Sequence, residues 1–333
     1  MVNLLKKIRV EIEGGSIGQL IGLAMALSIQ KKYGRDFILV YKRYKLLHTS
    51  DFNLHNLLYQ GESVEIEDFS SHKRESPKQG RIFLRIPIGV RPYFFYFRYL
   101  YQLARGKLAK IFSYFIARIE RDNKVIVERV PGEKRLIDRV TQDTLTVKGV
   151  YWPGLVGFVI NDLHSRFEMA GIPNPISKES EPLELIVIHY RLGDMRTQRR
   201  WQESHGVIDP NTFARILEKI RKVEGRDLPV LVISDEIEVA RKLFDRLNVK
   251  NYSFSPGADI WVDLKLMANA RYFIGSFSQV SMVAAEIRTV HGLPANFLPI
   301  NRRSGKIARQ SRQKGIKYYR AQYLPLDNEF YKL

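Results

Sequence analysis

Between residues 185 and 290 the chain alternates short runs rich in Val and Ile with longer stretches whose apolar residues recur at helical spacing. Strands are expected at 185–189, 230–234 and 272–275, and helices at 211–222, 237–247, 261–268 and 279–290. This order constrains the fold more than any other feature of the sequence. Strands separated by a helix-length crossover pair in parallel, and a parallel sheet buries both faces under helices. The first forty or so residues follow the same rule. Ile8, Val10 and Ile12 alternate with charged residues over 8–13, and the turn Gly14-Gly15-Ser16-Ile17-Gly18-Gln19 follows. Apolar residues from Ile17 to Leu27 then keep helical spacing, and 37–41 reads as a further strand. The expected fold class is α/β, with two Rossmann-like, doubly wound domains on parallel sheets. A linking helix at 152–168 and the stretch Gly171-Ile-Pro-Asn-Pro-Ile-Ser177 place the boundary near 170, giving domains 1–170 and 171–333.

Charge narrows the partners. Lys and Arg number 54 against 35 Asp and Glu, a formal +19, so the chain is drawn to something anionic: nucleic acid, an acidic membrane, an acidic polysaccharide or a phosphorylated substrate. Cysteine is absent, which excludes disulfides, thiolate metal sites and a cysteine nucleophile and fits a reducing compartment. The apolar run near Met1 is too short for a signal peptide and no stretch reaches membrane-spanning length, so the expected location is the cytoplasm. Over 105–121, Lys107, Lys110, Arg118 and Arg121 share one helical face, and Leu108, Phe112, Phe115 and Ile119 share the other. Such a helix either lies peripherally on an anionic membrane surface or packs its apolar side on the amino-terminal domain. Residues 62–81 are charged and show little periodicity.

Chemistry concentrates where strand 185–189 ends. The sequence Ile186-Val-Ile-His-Tyr-Arg-Leu-Gly-Asp-Met-Arg-Thr197 turns from buried strand to His189, Arg191 and Asp194 within a few positions. In a parallel sheet ligands bind outside the carboxyl ends of strands. An arginine there forks onto phosphate oxygens, a histidine hydrogen-bonds a sugar or base, and an aspartate holds the loop or the arginine. The plain alternative is a surface salt bridge in a connecting loop. Further on, Gly275-Ser276-Phe277-Ser278-Gln279 joins a strand to a helix. Free amides and two hydroxyls at that helix start form an anion site, or Ser276 and Ser278 simply cap the helix.

Together these pieces resemble the GDP-fucose-dependent fucosyltransferase superfamily, in both its α-1,2 and α-1,6 branches. "HYRLGD" (189–194) resembles the family's His-x-Arg-Arg-x-Asp motif, and "DLKLMANARYFIGSFSQVSMVAAEI" (263–287) resembles its later motif. "ISDEIE" (233–238) and "GGSIGQL" (14–20) are similar to segments of the α-1,2 branch. The resemblance touches 10–42 and covers about 185–300. It implies a GT-B architecture in which the carboxyl-terminal domain binds the nucleotide sugar. It also implies roles: Arg191 on the pyrophosphate, His189 at the nucleoside end, Asp263 accepting from guanine, and Ser278 and Gln279 on the phosphates, with Gly14, Gly15 and Gly18 as the glycine-rich turn. The chain departs from the pattern at Leu192, where a second arginine is usual, and at Arg199, which stands at the spacing of the α-1,6 branch's base. Glu203 and Asp209 are the nearest carboxylates, although Glu203 sits among arginines as an ion-pair partner would, and Asp209 precedes Pro210 as a helix cap would.

The function expected is that of an inverting, metal-independent glycosyltransferase moving fucose from GDP-fucose to a hydroxyl of a glycan acceptor. No Asp-x-Asp pair occurs in the chain, so no cofactor or metal is expected; Arg191 and helix-end amides would carry the leaving group's charge. One rival is a transferase of the same fold with another nucleotide-sugar donor. The other is a nucleic-acid binder, suggested by Arg302, Arg303, Lys306, Arg309 and Arg312, but no aromatic residues interleave there as a stacking platform.

Overall fold

The structure, a computed structural model, describes residues 7–33, 36–44, 53–60, 62–69, 144–147, 153–198, 201–202, 205–247, 251–257, 259–293, 296–300 and 316–325. Two compact units form, one within Met1–Gly15, Ile29–Phe52 and Gly61–Val150, the other within Ser16–Ser28, Asn53–Gln60 and Tyr151–Leu333. Residues 16–28, 53–60 and 153–170, assigned from the sequence to the first domain, thus cluster with the second unit. The helix expected at 105–121, the candidate base Glu203 and the cationic cluster at 302–312 lie outside the described residues.

The first unit holds a four-stranded sheet of β1 (Lys7–Glu13), β2 (Phe37–Tyr44), β3 (Ser63–Phe69) and β4 (Thr144–Val147), in the order β3-β2-β1-β4. Every pairing is parallel. β1 passes into α1 (Ser16–Tyr33) through Gly14, whose φ of +95° is a conformation that L side chains rarely adopt. Residues Ile17 to Leu27 of α1 are all buried, Gln19 among them, and its Oε1 accepts the Asn53 N–H at 2.8 Å. β3 falls in a stretch that reads as non-periodic. It is an edge strand of the sheet among the described residues: Val64 and Ile66 alternate with Glu65 and Glu67, but Ile66 is 53% exposed and Glu65 pairs with Arg9 at 2.7 Å, so the alternation is only two apolar residues long and marks no deeply buried face.

The second unit is built on a six-stranded, wholly parallel sheet. α2 (Gly154–Phe158) and α3 (Ile160–Ala170) precede β5 (Leu183–Tyr190), α4 (Gly193–Thr197), α5 (Pro210–Glu224), β6 (Val230–Ser234), α6 (Ile237–Phe244) and β7 (Tyr252–Phe254). Then come α7 (Ile260–Asn269), β8 (Ala270–Ile274), α8 (Gln279–Val290), β9 (Asn296–Pro299) and β10 (Ile316–Tyr319). The single linking helix expected at 152–168 is two helices, broken at Val159, where φ −115° and ψ 27° leave the helical region. The sheet order is β10-β9-β8-β5-β6-β7. The chain therefore steps outward from β5 through β6 to β7, returns to the other side of β5, and steps outward again from β8. Right-handed crossovers then place α5 and α6 on one face and α7 and α8 on the other. Side-chain packing agrees. Ile186, Ile188 and Tyr190 of β5 join Phe213 and Leu217 of α5 and Leu243 and Phe244 of α6 in one buried cluster, while His189 bonds Ser281 of α8. Each such apolar side chain, fully buried, contributes about 1.5–3 kcal/mol. α5 carries its own boundaries: Asp209 caps it, Pro210 opens it, and Gly225 ends it at φ 68°.

No helix of the described residues is long and apolar enough to cross a membrane. Tyr190 ties β5 to the segment that leads into α5, its buried hydroxyl donating to Ile208 O at 2.7 Å. Tyr190→Phe leaves that carbonyl without its partner and should lower stability by about 1–2 kcal/mol in urea unfolding. An unchanged midpoint would show the bond to be energetically idle.

Candidate functional site

The reversal of strand order on either side of β5 opens a crevice outside the carboxyl ends of β5, β6 and β8. Residues at those three ends are bound together. The Arg191 N–H donates to Ser276 Oγ at 3.0 Å, and the Ser276 N–H donates to Ser281 Oγ at 3.1 Å. Ser281 Oγ in turn lies 2.7 Å from His189 Nδ1. Gly275 permits this approach. A Cβ there would stand 2.8 Å from the Ser281 Cβ and 2.6 Å from Leu298 Cδ2, closer than carbon atoms pack.

His189 is only 5% exposed. Burial, seconded by the charge of Arg191, pushes its pKa down to about 3, so the ring is neutral at physiological pH. When the Ser281 hydroxyl donates to Nδ1, the ring proton resides on Nε2, which becomes the donor.

Arg191 is clamped by two carboxylates. Its Nε donates to Asp194 Oδ1 at 3.0 Å, its Nη2 lies 3.0 Å from the same oxygen, and its Nη1 lies 2.8 Å from Asp235 Oδ2. With five N–H groups, a guanidinium held in this way keeps donors for an incoming oxygen anion. Asp235 also accepts the Leu192 N–H at 2.8 Å. Beside it, Arg196 and Glu236 form a two-pronged pair at 2.7 and 3.0 Å. The "G" of "HYRLGD" has a steric reason: a Cβ on Gly193 would meet Asp235 Oδ2 at 2.3 Å.

The structure thus brings His189, Arg191, Asp194 and Ser276 together and adds Asp235 and Ser281, which sequence reasoning missed. Asp235 had a faint signal, an acidic residue just past the strand at 230–234; Ser281, inside a helix, had none. Of the two serines, Ser278 is the N-cap of α8, accepting the Val280 N–H at 3.1 Å, whereas Ser276 caps nothing and joins the relay. Gln279 is the first residue of α8. Phe277, between the serines, packs on His205 with ring centroids 4.2 Å apart, and His205 packs on Trp201 at 5.0 Å.

Asp263 stands at the same sheet edge, beyond β7. It is buried and accepts from Ser255 Oγ at 2.6 Å, and burial raises its pKa. Asp259, not Asp263, caps α7, accepting the Trp261 N–H at 2.7 Å. Asp209 does cap its helix, Oδ1 accepting from Asn211 N and Nδ2 at 2.9 Å, and makes no bond to the Arg191 cluster among the described residues. Gly14 and Gly15 lie in the β1–α1 turn and Gly18 is buried in α1. Leu192, where the resemblance expects an arginine, is fully buried in the cluster with Met195 and Val207. Among the described residues no group of three or more His, Asp or Glu side chains is placed to hold a metal.

No protein-family model matches the chain, and no curated protein matches it. Solved structures that align with it include E. coli heptosyltransferase WaaC with ADP-2-deoxy-2-fluoro heptose, at 12% identity over 94% of this chain and 93% of that one, with a TM-score of 0.41. POFUT1 in complex with GDP aligns at 12% identity over 90% and 98% of the two chains, with a TM-score of 0.39. NodZ alpha-1,6-fucosyltransferase soaked with GDP-fucose aligns at 13% identity over 85% and 92%, with a TM-score of 0.41. At such identities and scores the chemistry of the site has to be read from its own side chains.

His189 gives that chemistry a pH signature. Its pKa is lower folded than unfolded, so from about 6.5 down toward 3 the unfolded chain binds a proton that the folded one refuses, and stability falls as pH falls. Against His189→Gln, which cannot titrate, the wild type should lose up to about 1.4 kcal/mol more per pH unit below 6. Parallel stability curves for the two proteins would mean that the ring titrates normally in the fold.

Proposed function

We propose that the protein is an inverting glycosyltransferase that needs no metal and transfers fucose from GDP-fucose to a hydroxyl of a glycan acceptor. The observation that carries the reading is the doubly clamped Arg191 beside the amide-rich start of α8, at the carboxyl ends of adjacent parallel strands. Arg191 and the amides around Ser276, Ser278 and Gln279 hold the diphosphate, and Asp194 and Asp235 hold Arg191. Neutral His189 donates from Nε2 toward the nucleoside, and the Asp263 carboxylate accepts from guanine N1–H and N2–H. In the reaction the acceptor oxygen bonds to the anomeric carbon as the bond from that carbon to the β-phosphate oxygen breaks. The electron pair leaves with GDP, where Arg191 and the helix-end amides stabilise it, and the acceptor proton passes to a carboxylate. With Asp209 committed to capping α5, Glu203 is the proposed base.

Leu192 favours a second reading, a transferase of the same kind using another nucleotide-sugar donor. Its side chain is turned into the core, so the site offers a diphosphate one arginine fewer than the fucosyltransferase pattern does.

Arg191→Ala should weaken GDP binding about 30-fold or more, and Arg191→Lys should recover only part of it, because an ammonium cannot reproduce a planar fork. Equal GDP affinity in the alanine variant, measured by calorimetry, removes the assignment. Glu203→Gln should lower turnover by about 10² to 10⁴ with GDP affinity preserved, while Asp209→Asn, which keeps the helix cap, should change turnover little and Asp209→Ala should lower stability by about 1 kcal/mol. Transfer should persist in EDTA; loss in EDTA and rescue by magnesium would refute the metal-free mechanism.

A further inference from the structure

Among the described residues, the face of the second sheet that carries α5 and α6 is only partly covered. On that face Tyr272 of β8, Phe297 of β9 and Tyr319 of β10 continue the apolar surface beyond α5, and no helix of the described residues lies over them. Between these rings and the flank of α5 runs a groove with a volume of about 1400 Å³. Small-molecule sites commonly enclose about 300–1,000 Å³, so the groove suits an elongated occupant. Ile216, Ile220 and Val223 form its helical wall, and Val223 is 80% exposed.

The rim is cationic. Arg215 and Lys219 project from α5, and Lys317 and Arg320 from β10 and the residue after it, all four exposed. Lys219 and Arg320 have no ion-pair partner among the described residues, and Lys317 Nζ lies 5.7 Å from the centre of the Phe297 ring. The two acids of the lining are already engaged: Glu218 with Lys222 at 2.9 Å, and Glu224 with Arg271 at 3.0 Å. The groove therefore has an apolar floor, positive charge at its edge that no described carboxylate neutralises, and a volume beyond what a compact polar metabolite fills.

The geometry points to a lipid-binding groove, whose occupant is a single lipid molecule carrying a phosphate head group. Its hydrocarbon chain lies along Tyr272, Phe297, Ile216 and Ile220, and its head group meets Lys219, Arg320 and their neighbours on the rim. This site is separate from the nucleotide reading and stands without it. The two are joined structurally at one point, Tyr319, whose hydroxyl donates to Gly275 O at 2.7 Å in the turn that leads to α8.

The test is calorimetry on the full chain with dodecyl phosphate below its micellar concentration, alongside dodecyltrimethylammonium and inorganic phosphate. Saturable binding of one dodecyl phosphate is expected, with neither control binding in the same concentration range. The double variant Lys219→Glu, Arg320→Glu should bind it about tenfold or more weakly at an unchanged melting temperature. Equal binding of the ammonium amphiphile, equal binding of phosphate alone, absence of saturable binding, or undiminished affinity in the folded double variant would each overturn the proposal. If the double variant melts early, the head-group discrimination of the wild type decides. A GDP titration of the same variant separates the two sites: the groove predicts no change in it.

Discussion

The Asp235 carboxylate is the contact on which the site depends. It stands one residue past β6 and reaches sideways to the segment past β5, where one oxygen takes the Leu192 amide and the other meets the Arg191 guanidinium. The parallel register that pairs Tyr190 with Ser234 makes those two segments neighbours. Gly193 leaves the carboxylate room. With Asp194 on its other side, Arg191 is restrained from two directions, so the proposed binding would cost it less side-chain entropy. The arrangement also has an electrostatic consequence. One arginine and two aspartates sum to a formal charge of −1, so the proposed attraction for a diphosphate has to include the amides at the start of α8.

Two kinds of signal were readable in the sequence, and both were local. The β-branched run of β5 and the helical spacing of α5 to α8 gave the parallel sheet, because a strand buried on both faces and an amphipathic helix each write a periodicity into consecutive residues. The chemistry at 189–194 was readable for the same reason: polar groups break a buried run abruptly. Contacts between strands were not. Asp235 matters because of register, Ser281 because α8 packs close to Gly275, and Leu192 because its turn points inward, and none of these is a property of neighbouring residues. Short or edge strands such as β3, β7 and β10 carry too little pattern to stand out. Asp263 likewise carries no local signature of its burial: Asp259, one turn earlier, caps α7, and Asp263 accepts from Ser255 on the segment past β7.

The second unit uses its two sheet faces differently. On one, α7 and α8 cover the strands, and fully buried Arg288 donates to the carbonyls of Met267 and Ala268 where α7 turns into β8. On the other, α5 and α6 seal the centre, and among the described residues the β8 to β10 side is a groove. The carboxyl edge joins them, and the Gly275–Ser278 turn is bonded from both sides, by Arg191 through Ser276 and by Tyr319 through Gly275.

The central claim is that the carboxyl edge of the second sheet binds a nucleoside diphosphate. Thermal shift against GDP, UDP, CDP, ADP and their sugars tests it without knowledge of the acceptor, since a ligand at about 100 times its Kd stabilises the fold by about 2.7 kcal/mol. The account predicts that GDP and GDP-fucose raise the melting temperature most and that inorganic phosphate does not. A melting temperature that no nucleoside diphosphate moves would contradict it.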